Sequence, residues 1–306
     1  MAPFGKAGNS RNTLYHIHPF ASFGENLKIA ALWSGGKDSC LSTYEAVSAG
    51  YEVAYLLSFN YEDGSQGKKN TIPSRPLSVI YNRLGRAGPS VISNIISFVY
   101  KDLSRMIPHE ISPEIVCMQA QAMGIPIIQK EVRWDTFEQY LKSTMKMLKK
   151  MGIEGLVFGV VPPHYPIDSS EKLREYRTLI EHKRWMERLC GELDIKPITT
   201  LWESTPERIL RDFVTNGFEA IIVVVDSKYF GRKWLGSRIN EDFIEKVADL
   251  NRRKNMHIGG SGYHTLVVDG PLFKKRLMIV RSKQVWRNGY GILDISSVNL
   301  VSKEEN

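Results

Sequence analysis

Cysteine is scarce in this chain: three in 306 residues, Cys40, Cys117 and Cys190. They lie far apart and form no CxxC pair, which argues against a zinc ribbon and against paired-cysteine chemistry. Each is read as a small buried hydrophobe. No apolar run approaches the about 20 residues that a membrane-spanning helix needs. Lys6 and Arg11 have no apolar core behind them, so no signal peptide is expected, and a cytoplasmic protein is the simplest expectation. The glycine-rich stretch near the N-terminus follows neither GxxxxGK[ST] nor GxGxxG, which excludes a Walker P-loop and the dinucleotide fingerprint there. No glutaminase-like segment is apparent.

What is present is an ordinary globular composition, 42% hydrophobic and 24% charged, long enough for one large or two medium domains. Lys and Arg number 41 against 33 Asp and Glu, a formal charge of +8. That excess suits a polyanionic substrate, yet it is spread along the chain without a basic tail. A mildly basic surface with no nucleic-acid role fits it equally well.

The chain is organised around Leu27 to Tyr44, LKIAALWSGGKDSCLSTY. The apolar run Leu27 to Trp33 reads as a buried strand, Ser34-Gly35-Gly36-Lys37-Asp38-Ser39 as a tight loop, and the residues after it as a helix. Glycines let a backbone approach an oxyanion closely, and the first amides of a helix and its dipole point at that anion. The plainer alternative is a turn in which Ser34 or Asp38 only caps the helix. In its strand–loop–helix setting, SGGxDS resembles the pyrophosphate loop of the PP-loop ATPases, which cleave ATP to AMP and pyrophosphate.

Gly50 closes the first helix and Tyr51 to Phe59 reads as a second strand, a βαβ start that predicts a parallel sheet. Residues 64 to 105 form an insert, with helical spacing over Pro89 to Arg105, that is either a lid or an incidental excursion. Alternation resumes with helix Pro113 to Met123, strand Pro126 to Glu131, helix Asp135 to Met151, strand Gly155 to Val161 and a charged helix from Ser170 to Leu193. The expectation is a doubly wound α/β domain over 25–194, after an N-terminal extension at 1–24 in which His16 and His18 lack a third ligand. From 195 to 306 the pattern becomes a smaller α+β domain. It holds helix Pro206 to Asn216, strand Phe218 to Asp226, helix Asn240 to Arg253, strand Leu266 to Val268, and two last strands around the hairpin signal Asn288-Gly289. Pro162 to Pro166 is a stiff turn that carries His164 toward the loop's edge of the sheet.

With both halves read, the chain resembles the diphthamide synthase family, the diphthine–ammonia ligases. The likeness rests on Trp33 to Ser39 (WSGGKDS), the QAQAMGIP run ending at Pro126, HKRWMERLC at His182 to Cys190, the block Pro197 to Phe218, the turn Trp234-Leu235-Gly236, and YHTLVVDGPLF at Tyr263 to Phe273. It implies a nucleotide-binding fold of the HUP, or adenine nucleotide alpha hydrolase-like, type. It also implies an ATP-dependent ligase that adenylates the carboxylate of diphthine on translation elongation factor 2, after which ammonium displaces AMP. By the same likeness Ser34, Gly35, Gly36, Lys37, Asp38 and Ser39 bind ATP, Lys37 and Asp38 serve catalysis, and Asp38 meets Mg2+. His164, Gly259, Gly262, Tyr263, His264 and Thr265 are then substrate-side candidates.

Members carry acidic residues in a GExGE(F/Y)HT segment where this chain has Gly259 and Gly262, and often GDI where it has Gly159-Val160-Val161. Two other readings therefore stay open: a PP-loop enzyme with a changed substrate, tRNA-modifying or carboxylate-adenylating, and a nucleotide-binding regulatory paralogue. Neither a membrane nor nucleic acid is expected as a partner, and a homo-oligomer is left open.

Overall fold

The computed structural model describes residues 27–61, 111–133, 136–161, 170–202, 204–254 and 262–303. His16, His18, the 64–105 insert, His164 and Gly259 lie outside the described residues. Strand β1 (Lys28–Leu32) runs into helix α1 (Lys37–Ser48), and strand β2 (Glu52–Tyr61) returns parallel to it. Then follow α2 (Pro113–Met123), β3 (Ile127–Val132), α3 (Phe137–Lys150), β4 (Gly155–Val157), α4 (Ser170–Leu193) and β5 (Lys196–Ile198). All five strands are parallel, in the order β3-β2-β1-β4-β5.

Alternation along β1 sends its side chains to two cores. Ile29, Ala31 and Trp33 pack with α1 and α2, whereas Ala30 packs with α3 and α4. The sheet is thus covered on both faces, the doubly wound arrangement, and its order reverses between β1 and β4. Strand β4 is shorter than its apolar run predicts, because Phe158 leaves the ladder after donating to Ile198 O at 2.9 Å. Nothing in the sequence marks β5 as a strand. Pro197 removes a donor, which only an edge strand tolerates, and β5 is an edge.

The remaining elements are α5 (Pro206–Thr215), β6 (Glu219–Asp226), a 3-10 turn at Arg232–Trp234, α6 (Glu241–Lys254), β7 (Tyr263–Asp269), β8 (Lys275–Arg287) and β9 (Tyr290–Ser302). The strands form an antiparallel sheet ordered β7-β6-β9-β8. Asn288 (φ 52°) and Gly289 (φ 82°) make the two-residue turn between β8 and β9, as a twisted hairpin requires. Strand β7 starts earlier than expected, because Tyr263 and His264 still pair with Val225 and Val224.

The two sheets are not separate bodies. One apolar cluster joins Trp33, Leu41 and Val116 to Phe213, Val224 and Leu266. Tyr44 of α1 meets the Phe218 ring edge-on at 5.2 Å, and Phe213 stacks on Phe218 at 5.0 Å. This shared core presses β7 against the start of α1. Among the described residues no helix is long and apolar enough to cross a membrane.

Candidate active site

Strand β1 delivers the loop to the carboxyl edge of the sheet, at the reversal between β1 and β4 where open α/β sheets hold their ligands. Trp33 N makes the last ladder bond, to Leu57 O at 2.8 Å. Gly35 then turns into the left-handed region at φ 82°, which a side chain would resist. Its carbonyl points inward, accepting from Val267 N and from Gln119 Nε2, both at 3.0 Å. Ser34 is exposed, and its Oγ shares a hydrogen bond with Ser39 Oγ at 3.1 Å. Ser39 in turn donates to Gly36 O at 3.1 Å, so the two hydroxyls brace the turn.

Helix α1 has no side-chain cap of its own. Helices α2 and α5 are capped by Ser112 and Thr205, each followed by a proline. For α1 the cap comes from the other sheet: Lys37 N donates to Thr265 Oγ1 of β7 at 3.0 Å. The positive end of α1 therefore faces the loop with one amide already held by tertiary structure.

Lys37 does not reach outward. It is buried, with Nζ 2.8 Å from Asp38 Oδ2 and 5.0 Å from the centre of the Tyr263 ring. Burial by itself pushes the ammonium down, but Asp38, and then Tyr263, more than offset this and hold Lys37 above the usual lysine range. Burial likewise pushes the Tyr263 phenol up to about 12, against the opposing pull of Lys37. The Tyr263 hydroxyl makes no hydrogen bond of ordinary geometry, although Lys37 lies near enough to act on it electrostatically. Asp38 is only partly covered and is the one loop carboxylate.

The diphthamide synthase N-terminal domain model matches residues 27–72 and 90–197. The diphthamide synthase C-terminal domain model matches residues 205–301. The chain belongs to the diphthamide synthase family. Proteins named diphthine–ammonia ligase are similar to it throughout: 28% identical in Schizosaccharomyces pombe, 25% in Rattus norvegicus and 24% in Homo sapiens, each over 85% of this chain. The alignment covers 85% of the rat and human proteins but 37% of the fission-yeast protein, so the chain spans little more than a third of that relative. A solved predicted subunit of tRNA methyltransferase from Methanocaldococcus jannaschii superposes over 80% of this chain and 98% of its own at 14% identity, with a TM-score of 0.35 too low to bear on anything further.

In this member of the family, the residues expected to bind nucleotide, Ser34 to Ser39, lie together with Tyr263 and Thr265, because β7 runs against the loop. His264 stands on the same strand opposite Val224 and is half-buried. Gly262 contributes backbone alone: its carbonyl accepts from Asp226 N at 2.9 Å. Two residues that the sequence reading quoted only within longer segments, Gln119 at the head of QAQAMGIP and Gly159, turn out to belong to the site. Gln119 bonds Trp33, Gly35 and Val267 at once, and the signal for it is a polar residue on the otherwise apolar stripe Ile115, Val116, Ala120 and Met123 of α2. Gly159, two residues past β4, was noted in the sequence only as the start of Gly159-Val160-Val161, and it abuts the first turn of α1. It is legible only once β4 and α1 are known to be neighbours.

Proposed function

We propose that this chain is an ATP-dependent, AMP-forming ligase that converts diphthine on elongation factor 2 to diphthamide with ammonium. The observation that carries the reading is the join between its two halves. The loop that suits a pyrophosphate is hydrogen-bonded to β7, the strand whose Tyr263-His264-Thr265 run the family likeness puts on the substrate side. A nucleotide held by the loop and a carboxylate presented along β7 would meet at one place.

The donor set fits ATP. The exposed Ser34 hydroxyl, the Gly36 amide that makes a long 3.4 Å bond to it, and the N-terminus of α1 lie at one edge, and glycines keep the approach open. ATP supplies the means to turn a carboxylate oxygen into a leaving group. Ser34 and the loop amides would hold the departing phosphates, and Lys37 would add positive charge from beneath the loop. Among the described residues no group of three or more His, Cys, Asp or Glu could hold a metal by itself. A magnesium ion that keeps phosphate and water ligands needs no such cage, and Asp38 is the carboxylate that would meet it. His264 and Thr265 remain on the substrate side of β7, and free ammonium is the expected nitrogen source.

The test is incubation with ATP, ammonium and diphthine-bearing elongation factor 2. The expected result is AMP release together with the mass change of a hydroxyl replaced by an amino group. AMP release without amidation would instead favour a changed substrate, the reading that Gly262 supports by putting no carboxylate beside Tyr263. Tight nucleotide binding with no ATP cleavage would favour a regulatory paralogue.

A further inference from the structure

We propose that Gln119 is a positioning residue for the nucleotide: its carboxamide, together with the Val267 amide, orients the Gly35–Gly36 peptide so that the Gly36 N–H faces the phosphates. The inference rests on the reading of Ser34 to Ser39 as an ATP loop. The carboxamide is completely buried, and its polar atoms are engaged. Oε1 accepts from Trp33 Nε1 at 3.0 Å, and Nε2 donates to Gly35 O at 3.0 Å and to Val267 O at 2.7 Å. Since Val267 N also donates to Gly35 O, that carbonyl has both lone pairs directed into the protein.

The peptide bond after Gly35 is planar and trans, so the Gly36 N–H points opposite to that carbonyl. Inward C=O therefore means outward N–H. Outside, this amide has only a long contact, 3.4 Å, to the exposed Ser34 Oγ, and it is available to an anion. Glycine on both sides makes the reverse orientation sterically cheap, and the flipped peptide would aim a carbonyl oxygen at the phosphates. Two buried donors oppose that flip, and Gln119 is one of them. The fit is mutual: a Cβ on Gly35 would lie 2.6 Å from Gln119 Oε1.

The test compares Gln119→Met and Gln119→Glu with Met145→Ala, a cavity variant on the far face of the parallel sheet. Binding of an ATP analogue with a non-cleavable α,β bridge is measured by calorimetry, and crystal structures of the Gln119 variants are determined. Gln119→Met removes the acceptor and both donors, whereas Gln119→Glu keeps the acceptor for Trp33 and offers the two carbonyls one O–H at most, so one of the pair remains informative if the other fails to fold. The expected result is an analogue Kd raised at least tenfold in the Gln119 variants and within twofold of wild type in Met145→Ala, with the 35–36 peptide rotated. Wild-type affinity in the Gln119 variants, or an unrotated peptide, overturns the proposal alone. Wild-type protein that binds no analogue overturns the nucleotide reading beneath it.

Discussion

Gly159 stands against the backbone of Asp38: a methyl group on its Cα would lie 2.9 Å from the Asp38 carbonyl carbon and 2.9 Å from Ser39 N. The segment just past β4 and the start of α1 thus touch main chain to main chain, where neither side can yield by turning a rotamer. Gly159→Ala is expected to cost about 1–3 kcal/mol of unfolding free energy by overpacking. It should also displace the first turn of α1 and weaken ATP binding. Urea denaturation and calorimetry check both effects, and a variant that matches wild type in both would refute the close contact.

Asp38 has two duties that one substitution can confuse. Besides its proposed place near magnesium, it is the ion-pair partner of the buried Lys37. Asp38→Ala leaves that ammonium buried without its carboxylate, which typically costs several kcal/mol; the partial exposure of Asp38 puts the figure toward about 3. Asp38→Asn keeps an acceptor and the volume, and is the better probe. It should stay folded with a lower Tm and lose AMP formation by at least about a hundredfold, as removal of a single site group commonly does. Turnover near the wild-type rate in Asp38→Asn would remove Asp38 from the chemistry.

His182 gives the fold a pH dependence unconnected with the site. It is buried on α4 with its ring 5.7 Å from that of Trp185, and burial lowers its pKa from 6.5 to about 4. The unfolded chain therefore takes up the proton first as pH falls. Stability is fully present above about pH 6.5 and declines toward pH 4, by up to about 3 kcal/mol from this group. In His182→Gln the urea-derived stability should be flatter between pH 4.5 and about 6.5. An unchanged slope would show that other groups carry the acid sensitivity.

Much of this architecture is legible in the sequence because local signals and long-range packing agree. The helices read from Pro113 and from Pro206 start there, each capped by the residue before, and Asn288-Gly289 announces a hairpin and makes its turn. The loop is legible as a strand–glycine–helix junction for the same reason. What is not legible depends on strand order. Thr265 caps a helix far from it in sequence, and Gly159 is constrained by a helix it meets only across the sheet. Lys37 shows the same limit. A lysine in a phosphate loop suggests an outward ammonium, but Asp38 and Tyr263 together make the inward position the better one. Strand β5 is missed because three residues with a central proline form no pattern, and only the free edge beside β4 makes them a strand.

Tyr263 separates packing from polarity at the centre of this interface. Its ring meets Phe230 at 5.8 Å and Phe243 at 4.8 Å, both edge-on, with Lys37 over its face at 5.0 Å. The buried hydroxyl makes no hydrogen bond of ordinary geometry, and its electrostatic contact with Lys37 is what offsets its desolvation. Tyr263→Phe keeps the ring, the edge contacts and the cation–π contact and loses only the hydroxyl's contact with Lys37, so it should change stability by no more than about 1 kcal/mol. Tyr263→Ala removes the ring as well and should cost about 3–5 kcal/mol. If Tyr263→Phe proves strongly destabilising by urea denaturation, the hydroxyl must bond Lys37 directly, and the charge beneath the loop would then be held by two oxygens.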